Sequence, residues 1–134
     1  MLQNFKNLCV ADVISFFEEY KSEVIKLNDY IISLPNDTLS WNTLILPQLE
    51  LDIKFSLKKQ ILSMDDFHPN EEIRKICNEV SINMSKFNTE QSMRKDIFLK
   101  FKYYFENMFV FEKNEFSIER IRFIEKSHDF YLMN

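Results

Sequence analysis

Zinc chemistry, nucleophilic attack and acid–base catalysis each require particular side chains to meet, and this chain carries few of them. Its two histidines are His68, just before a proline, and His128, near the C-terminal end. A zinc site on a helix draws on His or Cys residues three or four positions apart. Neither histidine has such a neighbour, so the sequence predicts no metal ligand and no cofactor, and both read as surface or half-buried residues. Cys9 and Cys77 show no CxxC and no repeated spacing. They read as reduced thiols, with Cys77 a small apolar residue on a helix seam. Asp65 and Asp66 are adjacent before a proline-containing loop, where carboxylates are more often solvated turn residues than an acid–base pair. Glycine is absent, which removes the P-loop, the dinucleotide fingerprint and the GxSxG nucleophile turn. No catalytic residue is expected, and the isolated chain is not expected to be an enzyme.

The most unusual chemistry lies in a helix seam. Ile73, Cys77, Val80, Met84 and Phe87 are spaced 4, 3, 4, 3, and Phe98, Phe101, Phe105 and Met108 are spaced 3, 4, 3. Both stretches read as apolar helix seams in one register. Between them, in "FNTEQSMRKDIF", the register falls on Gln91 and Arg94. Two arrangements would explain polar groups there. Gln91 and Arg94 bond to a neighbouring helix in a buried network, which is the expectation, or Asn88 and Gln91 form a capping pair at a helix restart.

The elements that position these residues are helices. Val13, Phe17, Tyr20, Val24, Leu27, Ile31 and Leu34 repeat at 4, 3, 4, 3, 4, 3, which predicts a helix from about Asp12, its cap, to Leu34, ended by Pro35. "PNDTLS" reads as a linker. Helical spacing resumes through Leu46, Leu49, Ile53, Leu57, Ile61 and Met64. Pro47 predicts a bend or a fresh start near Leu46, because proline is tolerated only in a helix's first turn. Asn70 is the expected cap of "EEIRKI", whose glutamates suit the helix dipole. A last helix is expected after Ser117, with Ile118, Ile121, Ile124 and Leu132 as its apolar face. The fold class is therefore all-α, with four or five antiparallel helices in a single domain over residues 1–134.

Composition narrows the partners. The formal charge is -4, with basic and acidic residues alternating along the chain, so no basic stripe would follow a nucleic-acid backbone. The aromatic run "FKYYFENMFVF" carries a single lysine, too little charge for a single-strand stacking platform, and reads as core packing. No signal-like segment and no apolar run near the ~20 residues of a membrane span occurs. No nucleic acid, no membrane and a cytoplasmic or otherwise intracellular location are expected.

Three segments together, "SWNTLILPQLE" (Ser40 to Glu50), "IRKICNEVSINMSKFNTEQSMRKDIF" (Ile73 to Phe98) and "IERIRFIEKSHDFYL" (Ile118 to Leu132), resemble the N-terminal helical region of the thimet oligopeptidase and neurolysin family of zinc peptidases. The residues that carry the resemblance are Trp41, Asn42, Pro47, Phe87, Gln91, Met93, Arg94 and Asp96, read as structural. The resemblance implies a neurolysin-like N-terminal helical domain, part of a lobe beside or opposite a zinc site. That zinc is held elsewhere in the family by a HExxH helix and a distant glutamate. No HExxH occurs here, and no catalytic or metal-binding residue transfers.

Three functional readings follow. The chain is a non-catalytic helical module from a truncated or split metallopeptidase homologue, or a helical subunit completing a separately encoded zinc oligopeptidase. Alternatively it is an unrelated helical interaction module. Apolar residues outside the seams, Phe16, Ile25, Phe55, Tyr103, Phe109 and Phe111, are the expected uncovered face, which would pair in a homodimer or with a separately encoded peptidase region.

Overall fold

A chain without glycine has no inexpensive way to take the left-handed backbone conformation, and no residue among those described has a positive φ. The computed structural model describes residues 8–65 and 68–133. It is all-α, with six helices and no strand among the described residues: α1 Val10–Ser33, α2 Leu46–Ser56, α3 Glu71–Ser92, α4 Lys95–Tyr103, α5 Phe109–Glu112 and α6 Ile118–Met133. Short irregular turns connect them. A π-helical turn, Trp41–Ile45, leads into α2, another, Tyr104–Met108, joins α4 to α5, and a 3₁₀ segment, Lys58–Asp65, follows α2.

Helix ends are fixed by side chains. At the start of α1, the Asp12 carboxylate accepts from the Cys9 backbone N–H at 3.0 Å and from the Cys9 thiol at 3.2 Å. Asp12 therefore supports the first turn from inside the helix, and Cys9 stands at the cap position expected of Asp12. The other end of α1 has no glycine to close it. Lys100 serves instead, donating to the Leu34 carbonyl at 2.6 Å and to Asn36 Oδ1 at 2.9 Å. Asn70 caps α3 as expected, its Oδ1 accepting from the Glu72 and Ile73 amides at 2.8 and 3.4 Å. Ser117 Oγ accepts from the Arg120 amide at 3.2 Å at the start of α6.

The chain divides into two compact units, residues 1–26 with 50–90, and 27–49 with 91–134. In the first, Val13, Phe16, Phe17, Tyr20, Phe55, Ile73, Cys77, Val80 and Met84 form the core. Tyr20 meets Phe55 edge to face at 5.3 Å and Phe87 at 6.1 Å, and its hydroxyl donates to Asn88 Oδ1 at 2.8 Å. Phe55 is wholly buried, and truncating a phenylalanine so placed costs about 3–5 kcal/mol. The second unit has its own core of Ile31, Leu39, Trp41, Leu44, Ile45, Ile97, Phe101, Tyr104, Phe105 and Ile124.

Among the described residues, six helices stand where four or five were expected. Between Phe87 and Phe98, where a helix restart was one of two arrangements left open, α3 ends at Ser92 and α4 begins at Lys95. On α6, Ile124 is buried and Ile121 half-buried, whereas Ile118 is exposed. The side chain of Leu132 lies outside those described, and Asp66 of the Asp65–Asp66 pair lies outside the described residues.

Candidate functional site

The polar interruption is a helix junction. Arg94 takes an extended conformation, φ -67° and ψ 119°, and acts as the N-cap residue of α4. Its amide bonds to the Gln91 carbonyl at 3.2 Å, and its carbonyl accepts the Phe98 amide at 3.1 Å. Its guanidinium does not enter a buried network, contrary to expectation. It folds back on Asp96, Nε to Oδ1 at 3.2 Å and Nη2 to Oδ2 at 2.9 Å. A guanidinium close to its own helix start satisfies its donors locally with a carboxylate that the helix N-terminus also favours. Asp96 Oδ1 also accepts from the Ile97 amide at 2.8 Å. The Arg94 hydrogen bond holds the Asp96 carboxyl below its ordinary range.

Gln91 does reach across. Its Oε1 accepts from Asn28 Nδ2 at 2.7 Å, so one of the two polar seam positions bonds to a neighbouring helix as expected. The alternative pairing of Asn88 with Gln91 is not formed, because Asn88 takes the Tyr20 hydroxyl. The other motif residue here, Met93, is 77% exposed at the break.

The second cluster surrounds Trp41. Ser40 and Thr43 form a reciprocal capping box, Ser40 N–H to Thr43 Oγ1 at 2.9 Å and Thr43 N–H to Ser40 Oγ at 3.2 Å. The serine–threonine spacing that forms this box is present in the sequence. The Trp41 amide, one position on, is satisfied from 71 residues away: Glu112 accepts it through both oxygens, at 3.2 and 3.4 Å. Arg120 lies over the Trp41 ring at 4.4 Å and over Phe116 at 5.0 Å, a cation–π arrangement. Pro47 is half-buried and follows the π-helical turn, at the point where the Leu46 amide bonds to the Trp41 carbonyl and the run becomes α-helical, and Asn42 is exposed.

Of the six residues expected on an uncovered face, Phe16 and Phe55 belong to the first core and are 5% and 0% exposed. Phe16 adjoins Phe17 and packs on Phe55 at 6.1 Å. The buried face of α1 is thus wider than one seam, so these two offer no exposed surface. Tyr103 and Phe109 are half-buried against the second core. Ile25, at 42%, and Phe111, at 77%, are exposed as expected.

Among the described residues, the histidines, cysteines and carboxylates do not gather into one site. His68 is buried, with Nδ1 accepting from the Asn70 amide at 3.0 Å. The His128 ring lies tilted against Phe105, with centroids 4.9 Å apart. The Cys77 thiol is buried and meets the Ile61 carbonyl at 3.3 Å, while Cys9 is exposed. Among the described residues no group of three or more His, Cys, Asp or Glu is placed to hold a metal ion, so they do not fit a zinc centre. An open surface depression is lined by Ser85, Lys86, Thr89 and Glu90, all from α3. No helix among the described residues is long and apolar enough to cross a membrane.

Sequence comparison supplies a relative. The chain is 24% identical over 118 residues to a thimet-like oligopeptidase of Dictyostelium discoideum, an alignment covering 82% of this chain and 18% of that protein. This supports a distant relationship to the thimet oligopeptidase family. The chain spans about a fifth of the length of that relative. No family model matches the sequence.

Proposed function

We propose that these residues form a non-catalytic helical module corresponding to the N-terminal helical part of a zinc oligopeptidase. The observation that carries the reading is the long, low-identity alignment to one such enzyme, over most of this chain, in a sequence without HExxH. Two of the three resembling segments shape helix boundaries: "SWNT" forms the capping box before α2, and "EQSMRKD" forms the α3–α4 break. Motif residues that set helix ends serve a scaffold, not a reaction centre.

A second reading, a helical subunit that completes a separately encoded oligopeptidase, draws on exposure. Val110, Phe111 and Ile118 are 51%, 77% and 68% exposed, and large apolar side chains left in water are commonly part of an interface. The same residues could serve a homodimer.

The test mixes the purified chain with a HExxH-bearing polypeptide from the same source and follows hydrolysis of a short fluorogenic peptide with zinc. Turnover that appears only in the mixture supports the subunit reading. Association without any gain in turnover supports the non-catalytic module. A chain whose experimental structure fails to superpose on oligopeptidase helices belongs to an unrelated interaction module, and the proposal fails.

A further inference from the structure

The second unit contains a buried donor and an incompletely used acceptor side by side. Tyr104 is 0% exposed, and its hydroxyl has no hydrogen-bond partner in this conformation. A buried hydroxyl left in that state is costly, and native proteins rarely leave one so. The Glu112 carboxylate is close enough to act on the Tyr104 hydroxyl. Burial first, and the Glu112 charge second, push the ionisation of Tyr104 well above its ordinary range. The phenol therefore remains a neutral O–H donor.

Glu112 spends both oxygens on one weak contact. The Trp41 amide is shared between them at 3.2 and 3.4 Å, both beyond the usual distance for a charge-assisted bond. One oxygen suffices for one N–H. The other can take the Tyr104 hydroxyl as a short O–H···O⁻ bond, the stronger class of hydrogen bond. The remaining charged group here, Arg120, faces the Trp41 and Phe116 rings, and it partly offsets the carboxylate's effect on Tyr104.

We propose that Glu112 is a two-armed clasp, holding the Trp41 amide on one oxygen and the Tyr104 hydroxyl on the other, and that its release frees the entry of the helical run that begins at Trp41. The clasp ties together three chain segments of the second unit: the turn before α2, the π-helical turn after α4, and the end of α5. Its release is a local opening at Trp41.

Trp41 is the sole tryptophan, so its fluorescence reports this unit alone. The experiment is a double-mutant cycle of Tyr104→Phe and Glu112→Ala, with urea midpoints read from that fluorescence. The clasp predicts that Tyr104→Phe lowers the midpoint in the wild-type background and has no effect once Glu112 is alanine. A midpoint unchanged or raised by Tyr104→Phe in the wild-type background overturns it, since removing a truly orphaned hydroxyl is neutral or stabilising. An equal loss in both backgrounds also overturns it, because the hydroxyl's partner is then another group. Should Glu112→Ala fail to fold, hydrogen exchange at the Trp41 amide in Tyr104→Phe decides: faster exchange than wild type supports the clasp, and unchanged exchange contradicts it.

Discussion

Arg94 grips Asp96 two residues ahead of it with two nitrogen–oxygen contacts, 3.2 and 2.9 Å, and α4 starts between them. The pair is a surface feature, with 28% of the arginine side chain and 49% of the aspartate side chain accessible. Arg94→Ala is therefore expected to change stability by less than ~0.5 kcal/mol, as surface substitutions do. Urea midpoints of the variant and wild type check it.

Asp96 gives a pH prediction with a definite sign. Its folded-state pKa is lowered from 3.8, first by the Arg94 hydrogen bond. A depressed carboxylate pKa contributes stability that is present above the unfolded value and is lost as pH falls through the folded one. The Asp96 carboxyl should titrate below 3.8 in wild type and move up toward that value in Arg94→Ala, as read by carbon-detected NMR.

Gln91 should matter more than Arg94, the reverse of what their side-chain charges suggest. Its bond to Asn28 is part-buried, and truncation leaves the Asn28 amide short of its partner. Gln91→Ala is expected to cost about 1 kcal/mol, and Asn28→Ala combined with it should add little. Chemical denaturation of the two single variants and the double variant provides the comparison.

Asn70→Ala removes the acceptor for two amides at the start of α3 and is expected to cost about 1 kcal/mol, whereas Asn70→Asp, an equally good cap, should be near neutral. Thermal unfolding followed by circular dichroism distinguishes the two.

Alkaline pH acts on both cores. Burial raises the ionisation of Tyr20 and Tyr104 above the ordinary value of 10.0. The folded state holds these protons more tightly than the unfolded chain does, so stability is full below about pH 10 and falls as pH rises beyond it. Tyrosinate absorbance should show these two hydroxyls titrating only with unfolding.

The sequence made some elements plain and hid others, for identifiable reasons. The 4, 3 spacing from Val13 to Leu34 marks α1 because an apolar stripe at helical period survives any packing partner. Asn70 and Pro47 are legible because each acts through its own backbone neighbourhood. The break at Arg94 was only half legible, as one of two arrangements, because the register continues across it: Phe87 and Phe98 stay in phase although the helix ends between them. Phe16 is buried although it lies outside the seam, because α1 packs over a face wide enough to include adjacent Phe16 and Phe17, and Phe55 of α2 is buried against it. Glu112 was invisible as a partner of Trp41. No local pattern announces a contact 71 residues away.

The proposed function makes this chain a scaffold with no peptidase chemistry of its own. The direct measurement is the rate of fluorogenic peptide hydrolysis by the purified chain with added zinc, with a chelator control and zinc content determined after dialysis. The account predicts hydrolysis at the buffer rate and no retained stoichiometric zinc. Zinc-dependent turnover by the chain alone, abolished by the chelator, would contradict it.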